Sequence, residues 1–216
     1  MVKKLPFLLL ASLACMVGVY PIIYLLVDGR FGLLNQKSDA VLSSTVWNVN
    51  FYTHITTGGI ALLIGWSQFV SKWRDRNQSL HRKIGKIYVI SVLASAITAI
   101  YIAFFATGGV VPAVGFVGMG VTWFVTTFKA YNDIRRKKVT SHQRMMVYSY
   151  ATCLAAVTLR IYLPIFISIF GDFNTAYGIV SWLSWVPNLI VAHLINQKYY
   201  PVDLTRSQAI LTQKVR

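Results

Sequence analysis

The chain has 216 residues, of which 56% are hydrophobic and 12% charged, against roughly 25% charged in an average soluble domain. With a mean hydropathy of +0.56, a water-soluble globule is excluded. The formal net charge of +15 does not indicate nucleic acid, because the basic residues sit in short stretches between apolar blocks of about 20 residues, the pattern of a polytopic membrane protein.

Of the 21 Lys and Arg, 18 fall in four places: Lys3 and Lys4, Lys72 to Lys86, Lys129 to Arg144, and Lys198 to Arg216. The alternate connections hold only Arg30 and Lys37, and Arg160 lies inside an apolar block. Positive residues are retained on the cytoplasmic side, so both termini and both basic loops are expected inside, which requires an even number of crossings. Six spans are predicted, at about 5–27, 48–70, 84–107, 111–132, 143–170 and 175–195, followed by a short basic cytoplasmic tail over 196–216. All are expected to be helices of a single transmembrane domain, since lipid offers the backbone no other partner.

Span one follows Lys3 and Lys4 and contains Ala11, Ser12 and Ala14, features shared with a signal peptide. Its charge-free run continues to Val27, too long for a signal core, so an uncleaved helix is expected. Residues 28–47 form the only sizeable external connection, placed to cap a cavity opening outward. Trp47, Trp73, Tyr199 and Tyr200 are expected as interface anchors.

Span two carries an organised polar set. Asn50, His54, Gly58, Ala61, Gly65 and Gln68 recur at helical spacing and share one face, with His54 about 9 Å inside the outer end. Such a stripe serves either as a helix contact or as a ligand face, on which Asn50, His54, Gly58 and Gln68 are the candidate ligand-binding residues. Gly108 and Gly109 leave almost no loop between spans three and four, and Gly171 to Asn174 does the same for spans five and six. Each pair is therefore expected as antiparallel neighbours.

Span five holds Arg160, about 27 Å along the helix from His142 and on the same face. Pro164 has no N–H for the carbonyl of residue 160 and predicts a kink there. There is no Glu in the chain, and the six Asp all map to loops or span ends. Arg160 therefore pairs with Asp28, Asp39 or Asp172 folded inward, or with carbonyls, water or an anionic group of a ligand. His81, His142 and His193 lie towards the cytoplasmic side. His81 and His142 match in level and are candidate axial ligands for haem b, with His54 a third whose opposite ligand would be Met119, water or an open position. A solvated interfacial histidine is the alternative for His81, His142 and His193.

The pattern His54-x3-Gly58-x2-Ala61-Leu62-x2-Gly65-x2-Gln68, then Arg74, Leu80-His81-Arg82-x2-Gly85-x2-Tyr88, His142-x3-Met146 and Arg160, resembles the bacterial membrane proteins grouped as domain of unknown function 2306. The resemblance covers about residues 50–165 and implies an integral protein of the bacterial inner membrane; it supplies no reaction. Two functions fit the residues. One is a membrane electron-transfer protein of the b-type cytochrome sort. The other is a binding protein or transporter whose outward cavity receives a small anionic or lipid-like ligand or a quinone between His54 and Arg160. A purely structural subunit is the remaining alternative. No catalytic triad, phosphate loop or zinc hydrolase motif is present.

Overall fold

The computed structural model describes residues 4–27 and 30–201. These are helical, with no strand among them. The chain enters through α1 (Lys4–Val19) and α2 (Pro21–Leu26), then a 3-10 turn at Gly32–Gln36 and the short α3 (Asp39–Leu42). The long α4 (Thr45–Gly65) ends in a second 3-10 turn, Trp66–Phe69, before α5 (Ser71–Arg76) and α6 (Gln78–Ala103). The remainder is α7 (Val110–Arg135), α8 (Val139–Cys153), α9 (Ala155–Phe170), α10 (Phe173–Leu183) and α11 (Val186–Tyr199). The residues 202–216 of the expected basic tail lie outside the described residues, and 196–199 belong to α11.

Five stretches are long and apolar enough to cross a membrane: Leu5–Tyr24, Gln78–Ala103, Val110–Arg135, Val139–Phe170 and Phe173–Tyr199. The sixth expected crossing is α4. At 21 residues it is about 31 Å long, sufficient to span, but Asn48, Asn50, His54 and its threonines make it too polar for the same measure. It packs against α1, α6 and α8.

Three interruptions divide the long spans. Pro21 has no N–H for the carbonyl of Val17, which takes the Tyr20 amide instead in a tighter turn at 3.2 Å. Pro187 likewise leaves the carbonyl of Leu183 without its helical donor, separating α10 from α11 at Ser184 and Trp185. Span five breaks at Leu154, and helix α9 runs through Pro164. The cause of the break at Leu154 is a side chain inserted into the ladder. Asn188 Nδ2 donates to the carbonyl of Ala151 at 3.2 Å, the acceptor that the Ala155 amide would use in an unbroken helix.

Gly108 and Gly109 take φ of 91° and 88°, and Gly171 takes 67°, conformations open to glycine. They turn the chain so that α6 packs on α7 and α9 on α10, as the short connections predict. At the crossing of α1 and α4 the backbones meet: a Cβ on Gly59 would stand 2.7 Å from the Gly18 carbonyl oxygen, and one on Gly18 3.1 Å from that of Gly59. This is the small-residue helix contact of membrane bundles.

The core nearest the basic connections joins Leu62, Tyr88, Val92, Trp123, Tyr150 and Cys153. Its hydroxyls satisfy one another. Tyr88 Oη and Ser149 Oγ are 2.8 Å apart, Ser149 Oγ and Thr127 Oγ1 2.7 Å, and Thr127 donates to the carbonyl of Trp123 at 2.7 Å. All three residues are fully buried. At the other end an aromatic cluster joins Tyr24, Phe51 and Trp47. Trp47 is 2% exposed and stacks on Phe51 at 5.0 Å, so it is a core residue and not the interface anchor its position in the sequence suggested. Trp73 and Tyr199 are exposed, as anchors should be.

Candidate functional site

One cavity of about 200 Å³ lies inside the bundle, walled by every helix of the spans except α11. On α4 its lining runs from Trp47 to Leu62, about 22 Å along the axis. The segment between α2 and α4 covers one end through Leu33, Leu34 and Lys37, the capping role expected of it. Most of the wall is apolar or aromatic, and the charged and imidazole groups on it are Lys37, His54 and Arg160. No carboxylate is among the described lining residues.

His54 stands nine residues into α4 and Arg160 ten residues before the end of α9, so the two lie at comparable depth, about 14 and 15 Å from that end. His54 is held by Ser95 of α6. Its Nδ1 is 3.0 Å from the Ser95 carbonyl oxygen, while Ser95 Oγ donates to the His54 carbonyl at 3.0 Å. Because a carbonyl only accepts, Nδ1 carries the proton and the neutral ring presents Nε2 as an acceptor. Among the described residues Nε2 has no hydrogen-bond partner, and it is not among the sealed atoms of the interior.

Arg160 donates from Nη1 to the carbonyl of Ala156 at 2.9 Å and lies over the Tyr20 ring, 4.6 Å from its centroid, a cation–π contact. Of its expected carboxylate partners, Asp39 pairs with Arg30. Asp172 accepts from the amide and hydroxyl of Thr175, both at 2.8 Å. Asp28 lies outside the described residues. Lys37 donates to the Phe105 carbonyl and to Thr107 Oγ1, and burial pulls its ammonium down to about 8. Trp47 Nε1 is buried without an acceptor among the described residues.

The structure thus brings together three sequence-predicted residues, His54, Gly58 and Arg160, and leaves two out. Asn50 turns back to the carbonyl of Val46 at 2.9 Å, and Gln68 sits in the 3-10 turn beyond the end of α4, bonded to Ser67 Oγ at 3.3 Å. The stripe fails at both ends because the helix stops at Gly65 and because Asn50 satisfies itself locally. Gly58 and Gly59 give their space to Ser95 and to Gly18, so the small residues serve helix packing beside the cavity.

The other histidines are elsewhere. His81 is within electrostatic reach of His142, and His142 donates from Nδ1 to the Ala130 carbonyl at 2.9 Å, but neither lines the cavity. His193 uses both nitrogens, one with Tyr148 Oη and one with Gln197, each at 2.9 Å. Met119 lines the cavity with His54. The described residues hold no cluster of three or more His, Cys, Asp or Glu placed for a metal ion. Sequence reasoning missed Lys37, Trp47 and Ser95. A signal existed for the first: Lys37 is one of the two basic residues in the connection placed to cap the chamber.

This is a helical membrane protein with a mostly apolar chamber on which Lys37, His54 and Arg160 stand. The chain belongs to the family described as predicted membrane protein (DUF2306), which matches residues 51–196. That range takes in His193 as well as His54, His81, His142 and Arg160, so it extends beyond the resemblance noted above. No curated protein and no solved structure matches the chain.

Proposed function

We propose that this protein is a six-span protein of the bacterial inner membrane, with both termini cytoplasmic, that binds or transports a small organic anion in the chamber between His54 and Arg160. The observation that carries the reading is Arg160 itself. A guanidinium keeps its charge at any working pH, and this one lines a cavity on which the described residues place two cations and no carboxylate. Within hydrocarbon such a charge is retained where it faces protein or water and does a task. An anion that docks there replaces water with a charge-assisted, potentially bidentate pair.

Crossing by α4 is supported by its length and by His54, which bonds Ser95 of α6 and lines the chamber, and by the bonds of Asn48, Asn50 and Thr57 to nearby carbonyls of their own segment. The basic connections then fall on one side and the Lys37 end on the other. Cysteines introduced at Asn35 and Ser79, both exposed, should label from opposite sides of sealed vesicles; labelling from the same side overturns the six-span topology.

Haem ligation remains the competing reading, and the observation in its favour is that His81 and His142 each stand three residues after the first residue of α6 and of α8. The chamber offers one imidazole and about 200 Å³, less than the roughly 300–1,000 Å³ of ordinary small-molecule sites. A visible spectrum with and without dithionite decides between the two: a Soret band lost in His81→Ala or His142→Ala establishes haem. For the anion reading, benzoate or octanoate should raise the thermal midpoint of the protein in nanodiscs, and Arg160→Met should abolish the rise. If neither acid shifts the wild-type midpoint, the reading is wrong.

A further inference from the structure

The walls of the chamber restrict its occupant further than charge does. Resting on the reading above that the chamber between His54 and Arg160 is a binding site, we infer that it takes a single six-membered aromatic or quinoid ring bearing an oxygen acceptor for Arg160 and a hydroxyl donor for His54.

Size comes first. An engineered apolar cavity of about 150 Å³ holds benzene, whereas drug-sized ligands fill about 300–1,000 Å³. A chamber of about 200 Å³ has room for one ring with a few small substituents. The wall agrees with a flat occupant: Phe51, Phe116, Trp123 and Tyr177 come from α4, α7 and α10 and face the same space. Aromatic faces and edges receive a ring with a preference that aliphatic walls lack.

The polar groups then fix the substitution pattern. Arg160 offers only donors, and among the described residues its side chain gives one of them, Nη1, to a protein acceptor. His54 offers the opposite. Its Nδ1–H faces the Ser95 carbonyl at 3.0 Å, so in the neutral ring Nε2 is an acceptor and needs a donor from the ligand. A carboxylate or phosphate alone supplies acceptors only and leaves that nitrogen without a partner. A ring that carries an O–H and a separate oxygen acceptor satisfies both.

Free hydroxyaromatic acids and the head of a membrane quinol share this chemistry, and titration calorimetry on the full chain in nanodiscs separates them. The probes are para-hydroxybenzoate, para-methoxybenzoate, benzoate, octanoate and a methylated hydroquinone. Para-hydroxybenzoate or the hydroquinone should bind at least about tenfold more tightly than the methoxy and unsubstituted acids, because a site built to pair a hydroxyl rejects analogues without it. His54→Phe should remove that preference and retain benzoate binding, while Arg160→Lys should weaken the acids together. Tighter binding of the hydroquinone assigns a quinol head; tighter binding of para-hydroxybenzoate assigns a free acid; either supports the inference. Equal binding of para-methoxybenzoate and para-hydroxybenzoate overturns it, with no variant needed. Octanoate bound as tightly as the hydroxy acid, and lost in Arg160→Met, overturns the ring and leaves the anion reading standing. Absence of binding by all five overturns both.

Discussion

Two sets of interior polar side chains in the bundle are treated in opposite ways. Towards the basic connections, Tyr88, Ser149 and Thr127 form a closed chain that ends on a backbone carbonyl. Towards the Lys37 end, Arg160, His54 and Trp47 keep donors and an acceptor that no described residue completes. Buried polar groups are paired as a rule, and the exceptions require a reason. In the first region the polar atoms join helices; in the second they surround a space. Incompleteness alone does not mark a site, because Trp66 Nε1, Trp123 Nε1, Ser184 Oγ and Asn196 Oδ1 are also buried without a partner among the described residues; His54 and Arg160 differ in lining a space.

The largest effect should come from the incomplete end. Arg160→Met removes the charge-assisted pair with any anionic occupant, and truncating such a partner in a desolvated site costs about 2–5 kcal/mol, a loss of at least about 30-fold in affinity. Stability should change little or improve, because a guanidinium without a carboxylate among the described residues is replaced by an apolar side chain of similar reach. Calorimetric affinity together with the thermal midpoint checks both halves. A variant that binds normally, or one that unfolds, breaks the comparison.

At the complete end the order reverses. Ser149→Ala leaves the buried Tyr88 hydroxyl without the acceptor it now has at 2.8 Å, a loss of about 1–3 kcal/mol in stability, with ligand affinity unchanged. The companion change at the other end is Trp47→Phe, which removes an N–H that has no described acceptor and so forfeits no hydrogen bond of the ligand-free protein. Any fall in its stability therefore reports lost packing at this buried position and not a lost hydrogen bond, and unfolding midpoints of the two variants side by side separate the two kinds of loss.

Much of the fold is legible in the sequence because bilayer thickness dictates span length and basic residues mark one set of loops. The breaks are less legible. Pro164 has a local reason to bend its helix and leaves it running, whereas Asn188, distant in sequence, opens the ladder at Ala151. Arg160 and His54 stand out in the sequence because a cation and an imidazole are conspicuous among apolar neighbours. Ser95 and Trp47 do not, because their roles depend on where α6 and the α2–α4 segment fold over α4. The polar stripe of α4 has the right face and the wrong length, since sequence spacing cannot show that the helix gives way to a 3-10 turn at Trp66.

Acidity gives a smaller handle on the covered end. Lys37 has an ordinary value of 10.5 and is pulled down to about 8 by burial. Its folded value lies below its unfolded one, so between about pH 8 and 10.5 the unfolded chain binds more protons and stability rises with pH. Below about pH 8 the ammonium is charged in both states and this contribution is flat. Anion affinity runs the other way: it should decline a few-fold as pH rises through about 8 and the second cation at the chamber is discharged. Lys37→Gln should flatten both slopes. A wild-type affinity independent of pH from 7 to 9 would show that Lys37 is not felt by the occupant.

The smallest effects belong to the two stripe residues that the fold leaves out. Asn50→Ala removes a bond from the side chain to its own helix, to the Val46 carbonyl at 2.9 Å, and that carbonyl already serves the ladder. Gln68→Ala removes a 3.3 Å contact with Ser67 Oγ beyond the end of α4. Surface-type changes of this kind stay within about 0.5 kcal/mol, and neither side chain lines the chamber, so ligand affinity should remain within about twofold of wild type. His54→Phe, on the same helix face, should abolish the hydroxyl preference. If Asn50→Ala or Gln68→Ala changes affinity as much as His54→Phe does, the binding surface follows the stripe along α4 and not the chamber, and the contrast between completed and incomplete polar groups fails as a guide to where this protein binds.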